Sequence, residues 1–166
     1  MASRIRENRL LIPVLVFLCV VVASCQFLDT IAGIQHDTVG FDVVETTIAD
    51  VHQAMQDGRV TARQLVEDYL ARIEAYDKRN PALNAIIEVN PRALERADEL
   101  DVAFAESGLT GPLHGIPMIV KDNYDFAGMP TTAGSASLAE SMPPDDSFQV
   151  RRIQEAGAIV LAKSNM

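Results

Sequence analysis

GPLHGIPMIVKDN, residues Gly111 to Asn123, is the stretch on which the fold turns. Gly111, Pro112, Gly115 and Pro117 make a turn-rich approach to a short apolar run, Met118-Ile119-Val120, that reads as a strand ending at Lys121. A loop of small and polar residues follows, Asp122 to Ser137, punctuated by Gly128, Pro130 and Gly134. Asp145 and Asp146 are placed to cap a helix from Ser147 to Ala156 with Phe148 and Ile153 among its inward positions, Gly157 ends it, and Ala158 to Ala162 reads as a further strand. Strand, crossover helix, strand predicts an α/β fold in which the two strands pair in parallel with a right-handed connection. Residues at the C-terminal ends of such strands face a ligand crevice, and Lys121 and Lys163 both occupy that position.

Upstream, Ile48, Val51 and Met55 fall on one face of a short helix that Gly58 stops. Thr61 and Gln64 form a capping-box pair opening a second helix, whose stripe of Leu65, Val66, Tyr69, Leu70, Ile73 and Tyr76 ends before Asn80-Pro81. Two antiparallel helices are the simple expectation. Leu83 to Val89, with Ile86-Ile87, reads as a strand. Asn90 and Pro91 then open a third helix as N-cap and first helical residue, with Ala93, Leu94, Ala97, Leu100 and Phe104 on its buried face and Gly108 closing it.

The 166 residues allow one domain plus a targeting segment, with 22% charged residues and a formal charge of −9. That acidic balance counts against a generic grip on nucleic-acid phosphates, which needs clustered Lys and Arg, so no nucleic-acid partner is expected. Residues 1–25 read as an export signal: Arg4, Arg6 and Arg9 precede an apolar run from Leu10 to Val22 and a small-residue exit, Ala23-Ser24. An uncleaved membrane anchor is the alternative. Val22-Ala23-Ser24-Cys25 also resembles the lipobox of bacterial lipoproteins, so that attachment through a lipidated Cys25 stands beside ordinary cleavage and free secretion. Each reading places the mature part outside the cytoplasm, as a secreted, periplasmic or lipid-anchored protein. Without residues 1–25, which hold three Arg and one Glu, there remain 11 basic and 22 acidic residues and a formal charge of −11. Residues 26–44 read as a linker and 45–166 as the domain. Cys19 and Cys25 both lie in the export segment, so the domain has no cysteine for a disulfide or a metal.

Taken alone, Lys121 is a solvated charge at a strand end. A lysine held among glycine-rich loops can instead lose solvation, which favours the neutral amine and lets it activate a serine. Ser135 and Ser137, in Ala133-Gly134-Ser135-Ala136-Ser137, do not form a Gly-x-Ser-x-Gly elbow and read as loop serines. Asp122 and Asn123 suit backbone groups of the loop. His114 reads as a loop hydrogen bonder, and His36 and His52 show no metal-ligand spacing.

The stretch from Gly111 to Asn123 resembles the lysine motif of the amidase-signature enzymes. The likeness continues through Gly128-Met-Pro-Thr-Thr-Ala-Gly-Ser135, Pro143-Pro144-Asp145-Asp146 and Glu155-Ala-Gly-Ala-Ile-Val-Leu-Ala-Lys-Ser-Asn-Met166, and covers roughly Thr46 to Met166. It implies the N-terminal portion of that fold, helices packed on an incomplete mixed sheet, and hydrolysis of a carboxamide by a Ser, cis-Ser, Lys relay in which Lys121 is the base. It implies a small-molecule amide substrate and no metal or organic cofactor. Thr131, Thr132 and Asn165 would be scaffold. Both serines of the relay belong to a signature further along, so the expectation is a chain truncated before them, inactive by itself. Two alternatives stand: a non-catalytic fragment or degenerate copy that at most binds, and a tRNA-dependent amidotransferase subunit of the same family, against which the export signal counts. Oligomeric state is not legible here. Mass spectrometry of the mature N-terminus separates lipidated Cys25 from free secretion.

Overall fold

A computed structural model describes residues 41–166. At its centre lies β3 (Ile159–Ser164), whose residues from Ile159 to Lys163 are all buried. It is flanked by β1 (Ile86–Val89), antiparallel to it, and by β2 (Pro117–Lys121), parallel to it. The sheet is thus mixed and three-stranded, in the order β1-β3-β2. A strand covered on both faces needs a continuous apolar run rather than an alternating one, which is what Ala158 to Ala162 supplies. Ile159 and Leu161 join one cluster and Val160 the other, as side chains alternate across a strand.

The larger cluster is built by α1 (Ile48–Gln56), α2 (Ala62–Arg72) and α3 (Ala93–Ser107), through Val51, Met55, Leu65, Val66, Ala97 and Leu100. The smaller joins Val150 of α4 (Phe148–Glu155) to Val120, Phe126 and Met129. The parallel pairing of β2 with β3 across α4 is the arrangement expected from strand, helix, strand. The expected helix pair is different: α2 has α3, not its sequence neighbour α1, as its principal helical partner. Phe41 and Val43, read as linker, pack against the larger cluster.

Local chemistry explains most helix ends. Thr47 with Asp50 and Thr61 with Gln64 both form complete capping boxes. The start of α2 has a second anchor that the capping pattern did not reveal: Asp101 of α3 accepts from the Ala62 N–H at 2.7 Å and the Arg63 N–H at 3.0 Å. Beyond Arg72 the helix widens into a π-helical segment, Ile73–Arg79. Asp77, carried inward by it, accepts from the Ala85 N–H at 2.6 Å and pairs with Lys78 at 2.9 Å.

Five readings of local pattern are corrected. Asn90 is not the cap of α3, which begins at Ala93 with Arg92 in the cap position: the Asn90 Oδ1 accepts locally from the Arg92 N–H, and its amide NH2 adds a tertiary bond to the Val160 carbonyl of β3 at 2.6 Å. Asp146 accepts from the Ala127 N–H and from Gln154 instead of capping α4. Phe148 is 66% exposed, and Val150 takes the inward position assigned to it. Ile48 and Tyr76 stand at the outer edges of their stripes and are exposed too.

The approach to β2 and the exit of α4 meet at very short range. The Leu113 N–H donates to Ala156 O at 2.9 Å and the Gly115 N–H to Gly157 O at 3.0 Å. A Cβ on Gly111 would collide with Ala156 O, and one on Gly157, which has φ of +98°, would lie 2.8 Å from His114 Cα. Substituting Gly157→Ala therefore combines backbone strain with overpacking and should cost about 2–4 kcal/mol, measured as the shift in urea unfolding of the full chain.

His114 is wholly buried in this contact. Thr110 donates its N–H to Nδ1 at 3.3 Å, which assigns the proton of the neutral ring to Nε2. Burial holds the imidazole below its ordinary 6.5, with His52 and Arg96 acting the same way and Asp101 opposing. The unfolded chain therefore binds a proton that the folded chain refuses. The stability tied to neutral His114 is complete above pH 6.5 and is lost as pH falls below that value towards the folded pKa. His114→Gln should flatten the fall of the urea midpoint just under pH 6.5, read by parallel unfolding curves.

Candidate active site

Lys121 is the last residue of β2 and lies in register with Ser164 of β3. The chain turns at once. The Asp122 N–H donates to Ser164 O at 3.0 Å and the Tyr124 N–H to Lys121 O at 2.9 Å, so the turn is tied to the sheet and to itself. The Lys121 side chain is exposed and borders an open cleft of about 290 Å³ with Ile119, Tyr124, Gln149, Val150 and Ile153. Residues 41–166 do not desolvate this amine, unlike the buried setting that glycine-rich surroundings suggested.

Lys163 has the opposite fate. Its place at a strand end predicts a side chain in the crevice beside Lys121, but its register partner is Val120, and neighbours one residue apart on a strand face opposite ways. Its ammonium points into the loop after β2 and donates to Tyr124 O at 2.7 Å and Thr131 Oγ1 at 3.0 Å, with Asp122 Oδ1 at 3.4 Å. Both side chains of the Lys163–Asp122 pair are 1% exposed. Asp122 also accepts from the N–H and the hydroxyl of Thr132, as a loop-stabilising aspartate should. Burial alone would raise its carboxyl pKa. The Thr132 hydrogen bonds and Lys163 outweigh this and hold it below the usual carboxylate range.

The other candidates fall into scaffold positions. Ser135 and Ser137 hydrogen-bond to each other at 2.8 Å. His114 bonds Thr110, consistent with a structural loop histidine. Thr131 and Thr132 bind Lys163 and Asp122, Asn123 is exposed, and the Asn165 N–H donates to Ala85 O. His36, Cys19 and Cys25, with the whole export segment, lie outside the described residues. Among the described residues no group of three potential metal ligands occurs, and no helix is long and apolar enough to cross a membrane. The Lys163–Asp122 pair escaped the reading of sequence. Its signal was present in a lysine closing the apolar strand run and an aspartate just past the end of its parallel neighbour, since parallel pairing brings those ends to one level.

Comparison with known proteins identifies the family. The family model described as Amidase matches residues 64–166. The crystal structure of native peptide amidase from Stenotrophomonas maltophilia is 45% identical with a TM-score of 0.72, over 76% of this chain and 26% of that one. An amidase family protein from Bacillus anthracis is 36% identical with a TM-score of 0.70, over 74% and 24% of the two chains. A glutamyl-tRNA(Gln) amidotransferase subunit from Halorhodospira halophila is 37% identical over 122 residues, which are 74% of this chain and 25% of that protein. The chain spans between 21% and 25% of the length of the curated relatives it matches first. With a family model covering most of the described residues and a partial α/β fold superposing on solved amidases, the chain belongs to the amidase family.

Proposed function

We propose that this chain supplies the general base of an amide hydrolase, and that Lys121 is that base. The observation that carries the reading is the position of Lys121: it ends a parallel strand on a turn fastened to the neighbouring strand, with its side chain bordering an open cleft. In the relay, the neutral amine takes a proton from a cis-serine hydroxyl, which takes one from the nucleophilic serine as that serine attacks the carboxamide carbon. The proton then passes to the departing nitrogen, which leaves as ammonia or an amine, and water releases the acyl group.

Ser135 and Ser137 hydrogen-bond to each other, but no hydrogen bond among the described residues ties either of them to Lys121, so neither is assigned the nucleophile's part. The two serines and the oxyanion donors are assigned to the part of the fold that the matched relatives have and these residues do not span. The proposed substrate is a small-molecule carboxamide, acted on outside the cytoplasm, either free or held to a membrane through Cys25. Relatedness to the tRNA-dependent subunits keeps an amidotransferase role as the second reading.

Grafting tests the assignment. A chimera in which residues 41–166 replace the matching segment of the Stenotrophomonas peptide amidase should release ammonia from a peptide amide. Its Lys121→Ala variant should lose about 10²–10⁴ in kcat. A folded chimera without turnover, or a Lys121→Ala chimera with undiminished turnover, sinks the reading. The 166-residue chain alone should release no ammonia.

A further inference from the structure

We propose that Lys163 is a positioning residue for Lys121, acting through Asp122 and the Tyr124 carbonyl; this rests on the reading of Lys121 as the base. The Lys163 ammonium donates hydrogen bonds to Tyr124 O and Thr131 Oγ1 and forms an ion pair with Asp122 Oδ1 at 3.4 Å. All three partners belong to the loop after β2. The segment from Lys121 to Tyr124 is fastened at its start by the Asp122 N–H on Ser164 O and at its end by Lys163 on the Tyr124 carbonyl. Asp122 draws in the far side of the loop through Thr132, and its own carbonyl accepts from the Ala133 N–H at 3.0 Å. The backbone that carries the base is therefore bound from beneath by one buried cation on the opposite face of the sheet.

Stability alone is a weak reason for such a pair, because hydrophobic replacements of buried ion pairs are often neutral or stabilising. Geometry is the stronger reason. A base must sit within hydrogen-bond reach of its serine, and a misplacement of about 1 Å costs roughly a hundredfold in rate. Methionine at 163 would fill the space but leave the Asp122 carboxylate buried without a counter-charge directly beside Lys121. Arginine would restore the charge with a planar fork that cannot meet the same three partners.

The test uses the full chain and needs no turnover. Acylation of Lys121 by limiting acetic anhydride is followed against pH by mass spectrometry, with Lys78 as internal reference, alongside amide hydrogen exchange. In Lys163→Met the Lys121 profile should move to higher pH relative to Lys78, and exchange at Tyr124 and Thr132 should quicken about tenfold or more. Lys163→Arg should recover part of the profile and little of the protection. Thr131→Val keeps the ion pair and removes one bond to Lys163, so the Lys121 profile should hold while exchange at Tyr124 and Thr132 quickens less than in Lys163→Met; if Lys163→Met does not fold, unchanged exchange in Thr131→Val overturns the proposal. An unchanged Lys121 profile in folded Lys163→Met overturns it as well. An inactive chimera defeats the amidase reading while leaving these readouts as they are.

Discussion

A backbone contact with no room for a side chain holds the rest of the structure in place. Where residues 111–115 cross Ala156 and Gly157, carbonyls and N–H groups meet directly, and only glycine at 111 and 157 lets them do so. This crossing delivers β2 to the flank of β3, since the Ile159 N–H bonds Ile116 O just before the ladder starts. Once that register is fixed, Lys121 must end opposite Ser164. A loop placed by backbone bonds has few ways to drift, and the base proposed at Lys121 needs that property. Burial of His114 in the same contact links it to pH, because a proton can be added only where the packing opens.

A second constraint is electrostatic. The sheet buries Ile159 to Lys163 without a break, so the ammonium of Lys163 must find all its partners within the protein. It finds them in the loop after β2, which is otherwise a run of small and polar residues with little apolar surface to hold it. Phe126 and Met129 supply the apolar part, and Lys163 with Asp122 the polar part. Asp77 solves a similar problem at the entry to β1, where Lys78 and the Ala85 and Ile86 N–H groups outweigh the cost of burial and hold its carboxyl low. In both places a carboxylate replaces the partners that an irregular backbone cannot supply.

Much of this was legible one element at a time. The Thr61–Gln64 box, the stops at Gly108 and Gly157 and the apolar run of β3 each encode a local preference with one dominant outcome. Where a side chain had a choice between a local and a distant partner, the sequence pattern misled. Asn90 has the chemistry of an N-cap but stands short of the helix and ties the turn before it to β3, and Asp146 has it too and holds Ala127. Phe148 is apolar and exposed because the helix turns Val150 inward. The pairing of α2 with α3 is non-local as well, and the Asp101 bonds to Ala62 and Arg63 come with it.

For the candidate site the division is the same. Residue order alone was enough to place a strand end at Lys121 and a parallel strand after a crossover helix, and its motifs were enough to mark the chain as an amidase relative. These are matters of short-range periodicity, punctuation and residue identity. The fates of the two lysines at neighbouring strand ends were settled by tertiary pairing. The pleat sends Lys121 to an open cleft and Lys163 to a buried pair with Asp122, because residues that differ by one along paired strands point to opposite faces.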